Sequence, residues 1–142
     1  MIHYIENEYL KAVFLPELGG RLWSLYDKKK ERELLYKNDV FQPCNLALRN
    51  AWFSGGIEWN IGMIGHHPFT CSPLFIARYK NAAGGETLKM YEYERKRGIV
   101  YTVQATLAKD NLLVRVTIEN LSGKDTYVYW CSTGAYLETP DS

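Results

Sequence analysis

At 142 residues with a formal net charge of +1, the chain is long enough to bury one core and has no basic field to gather phosphates, which argues against nucleic acid. It has no apolar run that could span a membrane and no charged-then-apolar leader at its start. The three cysteines, Cys44, Cys71 and Cys131, form no CxxC pair and no zinc spacing, so neither a disulfide framework nor a metal is expected and a cytoplasmic setting fits.

Along the chain, helical periodicity is nearly absent and strand alternation recurs. His3 to Glu6 and Glu8 to Leu15 read as two strands flanking a tight turn at Asn7. Pro16-Glu17-Leu18-Gly19-Gly20 breaks the chain, and Arg21 to Tyr26 resumes it. The mixed charges of Lys28 to Glu33 read as a solvated turn, with a short strand over Arg32 to Tyr36. Gln42 to Phe53 is irregular, and Asn45 to Ala51 suggests one or two helical turns.

The second half is plainer. After the Ala82-Ala83-Gly84-Gly85 turn, Glu86 to Arg95 reads as a long strand. Ile99, Tyr101, Val103, Ala105 and Leu107 share one face of the next, and Leu112, Val114, Val116 and Ile118 share one face of its successor. Thr126 to Thr133, carrying Tyr127, Tyr129 and Trp130, reads as a further strand of the same antiparallel meander. The fold class expected is all-β, an antiparallel β-sandwich with long loops in the middle. An apolar strand so close to Ser142 would leave an open sheet edge. The expectation is a homodimer, or a chain that is one part of a larger sandwich and lacks its C-terminal half.

Gly55-Gly56-Ile57-Glu58-Trp59-Asn60-Ile61-Gly62, followed by Gly65-His66-His67-Pro68, is where chemistry concentrates. Glycines allow sharp turns and close backbone approach, and the carboxylate, amide, indole and imidazoles can hold or protonate a polyol. If Ile57 to Ile61 is extended, Glu58 and Asn60 share one face and Ile57, Trp59 and Ile61 the other. Trp59 then reads as core, and Trp52, nearer the loop, as core or stacking platform. Pro68 pushes His67 towards extended backbone, so His66 and His67 point opposite ways, and His66, which follows Gly65, is favoured as the ligand-facing ring. Arg49 either binds ligand hydroxyls or pins the loop, and Arg21 reads as structural. No His-x-His spacing for a metal, no Ser-His-Asp order and no phosphate-cradling loop stands out, so no cofactor is expected.

The opening run, Asn7 to Ala12, then Leu15-Pro16-Glu17-Leu18-Gly19-Gly20-Arg21-Leu22-Trp23-Ser24-Leu25-Tyr26-Asp27, then Glu33-Leu34-Leu35-Tyr36, resembles the start of galactose-mutarotase-like domains. Asn50 to Gly62 through Gly65 to Thr70 is similar to a narrower bacterial group, the domain of unknown function 5107, often found next to tetratricopeptide repeats. The resemblance implies a β-supersandwich with a carbohydrate-facing cleft, about twice this length, of which residues 1–142 would be the N-terminal half. Mutarotases use a histidine acid and a late glutamate base, which would lie beyond Ser142.

Carbohydrate is therefore the expected partner. The candidate catalytic residues are Glu58 and His66, and the candidate substrate-binding residues are Arg49, Trp52, Glu58, Asn60, His66 and His67. A catalytic aldose epimerase or glycoside hydrolase, and a structural or partner-binding β module, stand as alternatives to a sugar-binding domain.

Overall fold

The computed structural model describes residues 2–46, 50–52, 54–61 and 66–140. Within them the chain forms β1 (His3–Glu6), β2 (Leu10–Leu15), β3 (Arg21–Asp27), β4 (Arg32–Glu33), β5 (Cys44–Leu46), β6 (Asn50–Trp52), β7 (Ile57–Asn60), β8 (Phe75–Lys80), β9 (Glu86–Glu94), β10 (Ile99–Ala108), β11 (Asn111–Asn120) and β12 (Cys131–Gly134). One sheet runs β1-β2-β3-β7-β12, with β4 on β3; a second runs β11-β10-β9-β8; β5 and β6 pair as a two-stranded sheet. Every pairing is antiparallel. The protein is an all-β sandwich, as alternation along the chain implied.

The turns have local chemical causes. Asn7 folds its side chain onto the backbone, accepting from Tyr9 N at 2.9 Å and Leu10 N at 2.8 Å, which closes the β1–β2 hairpin. Asp27 does the same for Lys29 and Lys30 before the charged turn. Glu33 then staples the returning chain, accepting from Ser24 Oγ at 2.5 Å, Leu25 N at 2.8 Å and Lys37 Nζ at 2.6 Å.

Apolar alternation sets the core. Ile5, Ala12, Phe14, Leu22, Trp59 and Ile61 from one sheet meet Leu88, Met90, Ile99, Tyr101, Val103 and Ala105 from the other. Each fully buried aliphatic side chain contributes about 1.5–3 kcal/mol.

Three local expectations are corrected. The segment 45–51 carries strand pairing on both sides of residues 47–49, with Cys44 opposite Trp52 and Asn45 opposite Ala51, where helical turns were expected; the apolar pattern there is too short to select a period. Residues 126–130 are not strand, and β12 leaves the meander to pair with β7 in the other sheet, Thr133 opposite Glu58. The backbone groups explain the crossing. β7 meets β3 at a single position, Leu22 opposite Ile57, so its remaining donors and acceptors need a second neighbour. Finally, β8 was not foreseen. Its sequence, Phe-Ile-Ala-Arg-Tyr-Lys, does not alternate, and it lies exposed at a sheet edge.

Candidate functional site

The Pro16–Leu18 turn of 3-10 helix ends at Gly19 in the left-handed region, φ 68°. A Cβ on Gly19 would stand 2.6 Å from the Phe69 carbonyl oxygen, so the two chain segments approach this closely only through glycine. The turn delivers Arg21 into the interior, where it is 3 % exposed. Its Nη1 donates to Gly55 O at 2.6 Å and its Nη2 to Glu58 Oε2 at 2.7 Å. Burial draws the guanidinium below its ordinary pKa, while Glu58 beside it pulls the other way.

Strand β7 places Glu58 and Asn60 on the face opposite Trp59, whose indole Nε1 donates to Gly20 O at 2.8 Å. The other oxygen of Glu58, Oε1, accepts from Asn60 Nδ2 at 3.0 Å and lies 2.5 Å from His66 Nδ1. A carboxylate only accepts, so the network assigns the proton of that pair to Nδ1, and in the neutral ring Nε2 is then an acceptor. Three side chains thus fix one carboxylate, and that carboxylate fixes one imidazole.

Above this network lies a cavity of about 240 Å³, walled by Arg21, Ser54, Glu58, His66 and Thr133 with the backbone of Gly55 and Gly56. The volume falls below the range of about 300–1,000 Å³ usual for drug-sized ligands, so it suits one small polar molecule. Arg21 and Glu58 cancel in charge, and the hydroxyls and backbone groups around them are neutral.

The structure joins Glu58, Asn60 and His66 in one hydrogen-bonded network, but only Glu58 and His66 line the cavity, and Asn60, expected to contact the ligand, does not. Glu58 is at the cavity floor, 3 % exposed. Asn60 is 1 % exposed and turns inward, its Oδ1 accepting from His67 N at 2.9 Å and Thr70 Oγ1 at 3.4 Å. His66 is the most open of the three, with 36 % of its side chain exposed. His67 is away from the cavity. Its Nδ1 accepts from Phe69 N at 3.1 Å, capping the short Pro68–Cys71 helix, and its ring packs edge-on against Phe69 and Tyr101. Burial, reinforced by Arg97, lowers its pKa to about 4. Arg49 lies outside the described residues, and Trp52 is described only as part of β6.

Two wall residues were not candidates in the sequence. Arg21, read as structural, is held by Glu58 and Gly55 O beneath the cavity, and its pairing partner lies 37 positions away. Thr133 was assigned to the meander, and only the β7–β12 register brings it here. Among the described residues, no three His, Cys, Asp or Glu side chains converge in a way that could hold a metal, and no helix is long and apolar enough to cross a membrane.

Residues 1–141 match the family described as Domain of unknown function (DUF5107). The chain belongs to that family. It is also similar to the crystal structure of a TPR-domain containing protein from Parabacteroides distasonis ATCC 8503, with a TM-score of 0.69 and 29 % identity over 80 % of this chain. The match covers 20 % of that protein's chain, so this DUF5107 chain spans about a fifth of the length of its relative.

Proposed function

We propose that the cavity over β7 binds a neutral sugar or related polyol, and that this DUF5107 domain is a carbohydrate-binding part of a sugar-processing protein with a galactose-mutarotase-like architecture. The observation that carries the reading is the pairing of Glu58 with His66 in the wall of a small, charge-balanced hollow. A net cation would favour phosphate or carboxylate; here Arg21 is already answered by Glu58 at 2.7 Å. What remains for a ligand is a set of hydroxyl, imidazole and backbone groups, the complement of a hydroxylated ring. In this reading His66 contacts the ligand, Thr133 and Ser54 exchange hydrogen bonds with neighbouring hydroxyls, and Glu58 holds the imidazole in one tautomer.

Titration calorimetry of the full-length protein against common mono- and oligosaccharides tests this. Saturable binding is expected, weakened about tenfold by His66→Ala, the scale of one good hydrogen bond. No binding to any sugar would overturn it.

The 2.5 Å approach of His66 to Glu58 also favours a second reading, an aldose epimerase. Epimerisation removes the proton of the anomeric hydroxyl and protonates the ring oxygen, and a histidine oriented by a carboxylate is suited to one of those transfers. Polarimetry on an α-anomer, with Glu58→Gln and His66→Ala beside the unmodified protein, decides between binding and turnover. Full activity in both variants would remove these residues from the chemistry.

A further inference from the structure

The outer face of the β8–β11 sheet plays no part in the cavity, yet it carries an ordered set of polar and aromatic groups. Strand register aligns them in rows. Tyr79, Thr87, Thr106 and Leu113 stand opposite one another across the four strands, and the next row is Ala77, Lys89, Gln104 and Arg115. A third begins with Phe75 and Tyr91, whose rings stack at 5.6 Å and 27°. With strands about 4.8 Å apart, each row crosses about 14 Å of sheet, a track rather than a pit.

The groups in the first two rows are held in place. Gln104 Nε2 donates to the Tyr79 hydroxyl at 2.6 Å, and the Thr87 and Thr106 hydroxyls pair at 2.7 Å. They border a groove of about 410 Å³ that Arg115 and Leu113 complete on β11. Tyr79 and Phe75 are exposed, at 42 % and 61 %. The charge on this track is one-sided. Lys89 lies over the Tyr91 ring at 5.3 Å, and neither Lys89 nor Arg115 has an ion-pair partner among the described residues. The contrast with Arg78 on the same sheet is direct, since Arg78 is answered by Glu86 at 2.8 Å.

We infer that this face is a second, separate binding surface, and that it takes a short carboxylated oligosaccharide, such as a chain of uronic acid units. The exposed rings of Tyr79 and Phe75 meet the apolar C–H faces of the sugars, the threonine and glutamine groups exchange hydrogen bonds with their hydroxyls, and Lys89 and Arg115, on either side of Gln104, answer their carboxylates. Two cations suit a ligand with spaced carboxylates. They are too few for a polynucleotide, whose phosphates demand a dense basic stripe. The surface is independent of the Glu58–His66 cavity, so either site can fail without the other.

Trigalacturonic acid and its methyl ester, titrated into the full chain while backbone amide resonances are followed, test the inference. The acid is expected to shift resonances of β8, β10 and β11 around Tyr79, Gln104 and Arg115, and the ester to bind more weakly. Arg115→Gln and Lys89→Gln, both surface changes, are each expected to lower the affinity for the acid about three- to fivefold, as expected for an exposed ion pair. Shifts confined to Glu58 and His66, equal binding of acid and ester, unchanged affinity in both variants, or no binding would each overturn it.

Discussion

Two arginine–glutamate pairs in this molecule have almost the same length. Arg21 and Glu58 meet at 2.7 Å, and Arg78 and Glu86 at 2.8 Å. The first pair is 3 % and 4 % exposed, the second 39 % and 47 %. Distance alone would rate them equal; solvent separates them. Water screens the exposed pair and rehydrates either partner when the other is lost. The buried pair has given up that hydration, so each charge depends on the other and on the fixed donors around it. The same difference separates the two proposed surfaces. The cavity is built from groups that satisfy one another, whereas the sheet face keeps cations open to an incoming ligand.

The largest expected effect comes from breaking the buried pair. Arg21→Met leaves the Glu58 carboxylate without its guanidinium in a nearly sealed position and should cost about 3–5 kcal/mol of stability, read as a fall in the denaturation midpoint at pH 7. A loss below about 1 kcal/mol would place the pair in the same class as the exposed one.

Next is the acid limb of stability. His67 has its pKa depressed to about 4 in the folded protein, below the unfolded value near 6.5. The neutral ring is the one that folding favours, so this contribution is complete above pH 6.5 and is lost as the pH falls towards 4. The total is about 3 kcal/mol. His67→Asn keeps a side-chain acceptor for the Phe69 amide and should flatten the slope between those limits. An unchanged slope in urea titrations at successive pH values would assign the acid sensitivity to other groups.

A smaller effect follows at the glycines. Gly56 has φ 67°, and a Cβ there would collide with the Leu22 carbonyl oxygen; Gly84 has φ 80° with nothing within 4 Å of its would-be Cβ. Both substitutions to alanine bear the left-handed penalty of about 1–2 kcal/mol, but only Gly56→Ala must also move backbone next to the cavity. Thermal melts should therefore rank Gly56→Ala below Gly84→Ala, and equal melts would show that β3 yields there at little cost. The smallest change belongs to the exposed pair. Arg78→Gln should cost at most about 1 kcal/mol and fade further in high salt; a salt-independent loss would point instead to its hydrogen bond with Tyr4 O.

The β9–β11 ladder was legible in the sequence because each strand buries one face, and a period of two can be read within ten residues. The Asn7 turn was legible for a similar reason, since a short polar side chain and the amides it captures lie within three positions; the next turn was read from its mixed charges, and the part Asp27 plays in it was not. Glu58, Asn60 and His66 stood out as candidates through composition; Pro68 implied that His66 and His67 point opposite ways, and the preceding Gly65 favoured His66. What the sequence by itself determined is thus the class of fold, the face of each regular strand and a short segment rich in chemistry. Only the tertiary structure decided that β12 crosses to pair with β7, that Arg21 floors the cavity and that His67 belongs to the core. The first two rest on hydrogen bonds and an ion pair between positions dozens of residues apart, and the third on the His67 ring packing against Tyr101; such contacts leave no period in the chain. They are selected when buried polar groups must find partners after the apolar faces have closed.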